Sequence, residues 1–394
     1  MRIAFFADAY HPRISGQVTS LDEFCKGLTE RGHEVRIVCP EYPAERMEGH
    51  TDLFPTIRVP SGTAIVSKDD RLGQPWRGYY AMKALKAFNP QVVHIQTEFS
   101  IGAMGRRYAR RHGFPILSTC HTHYEMYMKG YFPLLPEFIS RSGARTWLRN
   151  IYANDDVIIA PTQIIRDVMQ SYGIDSHYEV IPTGVNEEVF QPRPAEAAAF
   201  RRSLAESEPG FDKGCLIVYV GRIGKEKNLD LLAQAMVSIV REAPDTRLLI
   251  VGDGPRKEEL QGTFQNLGLS GHVAWRGFMD RDTLPVVYTA ADLFVFPSKT
   301  EAQGLVTIEA MLCGTPVVGV NMMGSAEILK GDIGGFLAED NSEDYAAKTL
   351  SLIRDPALRA AKADQARDHA KNWTMSRSCD VMDSLYKRLF ASFL

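Results

Sequence analysis

Charge of one sign, paired cysteines and long apolar runs are all missing from this chain, and each absence removes a class of function. Its 394 residues carry 45 Lys and Arg against 48 Asp and Glu, a formal charge of −3. A dedicated nucleic-acid binder needs a broad basic excess, so that class is not expected. The six cysteines, Cys25, Cys39, Cys120, Cys215, Cys313 and Cys379, form no CxxC pair. A disulfide framework or zinc site is therefore not expected, and free thiols in a reducing cytoplasm fit better. No apolar run approaches the ~18 residues of a membrane-spanning helix, and no secretory leader is expected. Low-complexity tracts and internal repeats are absent as well.

What is present is an ordinary globular composition, 45% hydrophobic and 24% charged, in a chain too long for a single core. Short Val- and Ile-rich runs alternate with helical patterns, at residues 3–6, 35–38, 92–95, 116–119, 157–160 and 180–181. A second series follows at 216–220, 248–251, 273–275, 293–296 and 317–320. Runs of this kind read as buried parallel strands of βα units. The fold class is α/β, with two Rossmann-like doubly wound sheets. The boundary is placed near 186–212, giving an N-terminal domain 1–190 and a C-terminal domain 191–373. One helix is read over 345–371, and a last one (374–394) fits either domain by periodicity.

The richest stretch runs from Pro297 to Met311, where a strand turns through Gly304 into an amphipathic helix. The first N–H groups of a helix lack internal partners and carry partial positive charge, so they suit a diphosphate. Glu301 precedes this helix and Glu309 lies inside it. A sugar, diphosphate and ribose have that order and scale, so Glu301 suits sugar hydroxyls and Glu309 the ribose pair. Two glutamates at this spacing are also common on solvated helices; the strand–turn–Gly–helix context favours the binding role. Gly221 to Asn228 directly follows the strand 216–220 and brings Arg222 and Lys227 to a strand's carboxyl end. Two cations there stabilise the charge that develops on a departing nucleoside diphosphate. The alternative for these two is a surface ion-pair cluster with Glu226. Gly252-Asp253-Gly254-Pro255 is a turn and not a dinucleotide fingerprint, because Lys257 stands where the third glycine belongs.

In the first half, the loop around Gly16 lets backbone approach a phosphate or serves only as a turn. His121-Thr122-His123-Tyr124-Glu125-Met126-Tyr127 follows another strand, but so tight a His, His, Glu set rarely faces one point, and no metal is expected. Tyr131 lies in an aromatic loop ahead of Arg141, Arg145 and Arg149, which recur every four residues and share a helix face. That face reads either as solvated surface or as a seat on an anionic membrane.

In their fixed order, Gly221-Arg222…Glu226-Lys227, Gly252-Asp253-Gly254-Pro255, Gly277-Phe278 and Glu301…Glu309-Ala310-Met311…Gly314-Thr315-Pro316 resemble the retaining GT-B glycosyltransferases of family 4. The resemblance covers nearly the whole chain. It implies two Rossmann-like domains facing a cleft, a terminal helix returning to the acceptor-side N-terminal domain, and metal-independent transfer with retention and no cofactor. It also implies roles. Arg222 and Lys227 hold the diphosphate with Gly304 and Leu305, Glu301 the sugar, Glu309 the ribose, Phe278 the base, and Gly16 closes over the donor. His121 reaches the sugar near its reacting face, which makes His121, Glu301, Arg222 and Lys227 the catalytic set. Gln303 stands where many members have Phe, and with the segment from His121 to Tyr127 it is similar to the diacylglycerol glucosyltransferase-like branch. That branch implies UDP-glucose as donor and a lipid or amphiphilic acceptor at the membrane surface; Tyr124, Tyr127, Tyr131 and the three arginines are then the acceptor or membrane candidates. The protein is then cytoplasmic, peripheral on the inner face of the membrane. Open alternatives are a GDP-mannose-dependent mannosyltransferase, a soluble acceptor, and a non-catalytic sugar-nucleotide-binding protein.

Overall fold

The computed structural model describes residues 1–13, 15–63, 71–121 and 137–393, with side chains in the last segment described from 142 onward. The chain forms two compact units, Met1–Gly184 with Met375–Leu394, and Val185–Thr374.

The first unit is built on a parallel sheet of β1 (Arg2–Phe6), β2 (Glu34–Pro40), β3 (Thr56–Val59), β6 (Val92–Ile95), β7 (Ile116–Thr119), β8 (Val157–Ala160) and β9 (Tyr178–Val180). Their order is β3-β2-β1-β6-β7-β8-β9, and a small antiparallel ribbon pairs β4 (Ser61–Thr63) with β5 (Arg71–Gly73). Runs such as Val157–Ala160 are apolar and wholly buried because helices cover both sheet faces. The chain winds outward from β1 in one direction and, from β6, in the other. The sheet's switch point, where doubly wound proteins bind ligands, therefore lies between the loops that follow β1 and β6.

The terminal helix Met375–Ala391 belongs to this unit, burying Met375, Cys379, Met382, Leu385 and Tyr386 in its core. Polar contacts fix its register. Arg31 meets Asp380 at 2.6 Å, His33 meets Asp383 at 2.8 Å, and the Tyr386 hydroxyl lies 2.6 Å from His94 Nδ1.

The second unit has β10 (Leu216–Val220), β11 (Arg247–Val251), β12 (Val273–Arg276), β13 (Leu293–Phe296), β14 (Val317–Val320) and β15 (Gly335–Ala338). The order β12-β11-β10-β13-β14-β15 puts its switch point between the loops after β10 and β13. Where a single helix is expected over 345–371, the structure has two, Ser342–Arg354 and Pro356–Ala370. Pro356 has no N–H to continue the first helix, and the Asp355 side chain accepts from Leu358 N at 2.9 Å to start the second.

Candidate active site

The switch point of the second unit gathers the cationic and acidic residues of the two richest sequence segments. After β10 the chain passes Gly221, exposed Arg222 and buried Ile223, then a short turn Lys225–Lys227. This loop lies backbone against backbone on the one after β11. Ile223 N donates to Asp253 O at 2.9 Å, and a Cβ on Gly252 would stand 2.0 Å from Gly221 O. Gly252 also has φ +137°, so glycine is required there on two counts. The contact holds the loop in place while Arg222 projects from it, and the Tyr219 hydroxyl donates to Arg222 O at 2.9 Å.

After β13, Gly304 takes a left-handed conformation (φ 83°, ψ 59°) at the head of helix Leu305–Leu312, and no side chain caps that end. Glu301 forms an ion pair with Lys227, and the Ser298 hydroxyl donates to the same Glu301 oxygen at 3.1 Å. Gly324 N donates to Glu301 O at 3.0 Å, which ties the turn to the next helix. Lys227 and Glu301, 74 residues apart, are thus in direct contact.

Glu309 lies inside the helix that Gly304 opens and is 6% exposed. Tyr288 donates its hydroxyl to Glu309 Oε2 at 3.1 Å, and Arg281 stands 3.5 Å from Oε1. Burial raises the Glu309 carboxyl above its ordinary range, with Arg281 and Tyr288 opposing the rise. Leu305 is half-buried in the first turn, and Phe278, just past β12, leaves 82% of its surface exposed. An aromatic ring so exposed has an open face for a flat partner.

In the first unit Gly16 starts the helix Gly16–Glu30 behind the Ser15 cap, and a Cβ there would touch nothing within 4 Å. His121 follows β7, half-buried, with Nε2 at 2.7 Å from Gln96 Oε1. Desolvation pushes the ring down to about 4, which keeps it neutral. Arg145 lies over the Tyr172 ring at 5.2 Å, and Arg149 donates to Tyr172 O at 2.8 Å. Both remain exposed, yet each is engaged with the protein's own surface. Tyr124, Tyr127 and Tyr131 lie outside the described residues, as does the side chain of Arg141. Among the described residues no cluster of His, Cys, Asp and Glu could hold a metal ion.

Sequence reasoning passed over several residues. Tyr288 and Arg281 around Glu309, and Gln96 beside His121, have no spacing that links them to their partners. Trp76, Tyr79 and Tyr80 are 80%, 72% and 82% exposed, beside exposed Arg77, Lys83 and Lys86. A signal for that patch existed, since residues 71–97 contain no Asp or Glu.

Two doubly wound units, the second with a cation–carboxylate pair and an uncapped helix end at its switch point, are the frame on which GT-B glycosyltransferases are built, and the sequence places this protein among them. Residues 201–369 match the model of glycosyl transferases group 1, and residues 14–189 match that of glycosyltransferase family 4. The chain is 31% identical to an alpha-monoglucosyldiacylglycerol synthase of Acholeplasma laidlawii, over 97% of this chain and 96% of that protein. A synthase of the same name from Streptococcus pneumoniae is 32% identical, over 81% of this chain and 70% of that protein. Among solved structures, Anabaena Alr3699/HepE in complex with UDP shares the fold at a TM-score of 0.78 and 20% identity. The match covers 98% of this chain and all of that one, 100%. The chain belongs to glycosyltransferase family 4.

Proposed function

We propose that this glycosyltransferase is a retaining, metal-independent enzyme that moves glucose from UDP-glucose to a lipid or amphiphilic hydroxyl acceptor. The observation that carries the reading is the contact of Lys227 with Glu301 beside the Gly304-led helix end, at the second unit's switch point. Such a place takes a ligand with a diphosphate next to a polyhydroxylated group.

In this reading Arg222 and Lys227 bind the diphosphate, together with the N–H groups that open the helix at Gly304 and Leu305. Their charge counts most when the glycosidic bond breaks and negative charge grows on the leaving group, so it lowers the barrier and not only the ground state. Glu301 accepts from the sugar hydroxyls, Glu309 from the ribose, and Phe278 lies against the base. In the first unit, His121 and the backbone at Gly16 take the roles that the family resemblance implies for them. No side chain here is assigned as a covalent nucleophile, so retention proceeds by front-face substitution or a short-lived ion pair.

Donor and acceptor rest on the relatives. Two of them are named for an alpha-linked glucosyl diacylglycerol, and an alpha product from an alpha-linked UDP-glucose is retention. No helix among the described residues is long and apolar enough to cross a membrane. The exposed Trp76, Tyr79 and Tyr80 beside Arg77, Lys83 and Lys86 supply what a peripheral contact with an anionic leaflet uses: rings for the interface and cations for the headgroups. This patch supports membrane docking more directly than Arg145 and Arg149, which are turned onto Tyr172.

The test is UDP or GDP release from a panel of nucleotide sugars, with diacylglycerol in anionic vesicles as acceptor and EDTA present. The expected result is UDP release from UDP-glucose with an alpha-linked glucolipid as product. Turnover of GDP-mannose in its place, inversion at the anomeric carbon, or nucleotide binding without turnover would each overturn it. Vesicle flotation should weaken in Trp76→Ala/Tyr80→Ala more than in Arg145→Ala/Arg149→Ala.

A further inference from the structure

Gln96 follows β6 at the first unit's switch point and is 6% exposed. Three bonds fix it. Its N–H donates to Phe6 O at 2.8 Å, its carbonyl accepts from Gln17 Nε2 at 2.5 Å, and its side-chain oxygen receives His121 Nε2 at 2.7 Å. Gln17 stands next to Gly16, so one residue joins β1, the Gly16 segment and His121. Within β6, two residues before Gln96, His94 is buried with Nε2 at 2.7 Å from Thr119 Oγ1 and Nδ1 at 2.6 Å from the Tyr386 hydroxyl. Desolvation also pushes His94 far down, to about 3. A charge on His121 would further disfavour a charge on His94, and a neutral His94 adds none of its own beside that ring.

From this geometry we propose that Gln96 is a positioning residue for His121, holding the ring by Nε2–H so that Nδ1 is the nitrogen offered to substrate. An amide does this without adding charge. A neutral imidazole has one donor and one acceptor nitrogen, and when a carbonyl oxygen takes the first, the second is left with its lone pair. The ring then accepts a bond from a sugar hydroxyl and cannot give one. A carboxylate at position 96 would hold the same nitrogen but favour the charged ring. The inference rests on the reading of His121 as a residue that touches the sugar.

Gln96→Glu, Gln96→Met and His121→Gln test it, with histidine side chains labelled for NMR and the resonance lost in His121→Gln taken as His121. In Gln96→Glu the His121 titration midpoint should rise from about 4 by roughly 1–3 pH units. Transfer by that variant should gain a matching pH dependence, its rate climbing as pH rises through the new midpoint. Gln96→Met should leave the midpoint low and reduce kcat by roughly 10- to 100-fold with little change in donor KM. A merely structural glutamine would not tie the rate to the His121 titration. An unmoved His121 midpoint in Gln96→Glu overturns the proposal while leaving the assigned function intact. A moved midpoint with full transfer in His121→Gln overturns the role of His121 itself.

Discussion

Glu301→Ala separates sugar recognition from diphosphate recognition, because the structure makes opposite demands on the two. Lys227 is tied to Glu301, with side-chain exposures of 18% and 21%. A cation so engaged must loosen from its carboxylate to meet a diphosphate. Ion pairs that solvent can reach are worth about 0.2–1 kcal/mol. Removing Glu301 should then leave UDP binding unchanged or tighten it by about 1.4- to 5-fold, the equivalent of that energy. Transfer should fall by about 100- to 1000-fold, the usual loss for one preorganised polar contact in a transition state. Calorimetry with UDP gives the first number and release of UDP from UDP-glucose the second. Lys227→Ala is the control and should lose both. A tenfold or greater loss of UDP affinity in Glu301→Ala, parallel to the loss of turnover, would show that Glu301 does not act on the sugar alone and would refute the division of labour.

The remaining predictions concern glycines and buried titratable groups. Gly16→Ala should keep its stability, or gain up to about 1 kcal/mol inside its helix, yet transfer more slowly; thermal melts and rates check both, and an unchanged rate removes Gly16 from the donor site. Gly252→Ala should destabilise the protein by more than about 2 kcal/mol, because its Cβ would stand 2.0 Å from a carbonyl oxygen. For Glu309 the folded carboxyl titrates above its ordinary value, so the folded chain keeps a proton that the unfolded chain has lost. Stability therefore falls as pH rises through that window, and the Tm of Glu309→Gln relative to the parent should become more favourable from pH 4.5 upward. His94 has the opposite sign: pushed down to about 3 from 6.5, it costs stability as pH falls through that interval. His94→Gln should flatten the acid limb of a melting curve measured from pH 7 to pH 4.

The elements legible in the sequence are those whose side chains are buried on both faces. β8 and β14 are runs rich in Ile or Val with no polar interruption, and no other local structure accommodates them so well. β3 and β15 escape because neither presents an unbroken apolar run, whereas the edge strands β9 and β12 do over part of their length. Thr56-Ile57-Arg58-Val59 alternates polar and apolar residues, and Gly335–Ala338 begins on glycine, so neither run stands out from a loop. The helix expected over 345–371 hides its break at Pro356 inside an otherwise continuous pattern. In the site, spacing locates Glu301, Lys227 and Gly304 because each follows directly on a strand. It carries no information on which residues meet across the sheet. Nothing in the sequence joins Gln96 to His121, or Arg281 and Tyr288 to Glu309, since those pairs form only when separate βα units stack.

Glu309 shows where the second unit departs from ordinary packing. The first unit buries Asp8, His33, His94, Glu98, Arg106 and Asp155, whereas in the second Glu309 is the only fully buried charged residue among those described. The difference lies in how each carboxylate is satisfied. Asp8 accepts from the Thr97 and Ser100 hydroxyls and from Ile101 N at 2.7 Å, and Asp155 meets Arg106 at 2.8 Å. Glu309 has a single hydroxyl at 3.1 Å and a guanidinium no nearer than 3.5 Å. A carboxylate offers about four acceptor positions, and leaving them thinly used in a buried place is costly. A structural role would be served better by a glutamine or an apolar side chain. A vicinal diol such as a ribose brings two donors at the spacing of one carboxylate, and those bonds would draw the carboxyl back toward its ordinary titration range. Burial raises the Glu309 carboxyl and its few partners only partly oppose the rise, so the hydroxyls of a nucleotide would supply what is missing, and nucleotide binding should weaken in Glu309→Gln even though that variant folds as well as the parent or better.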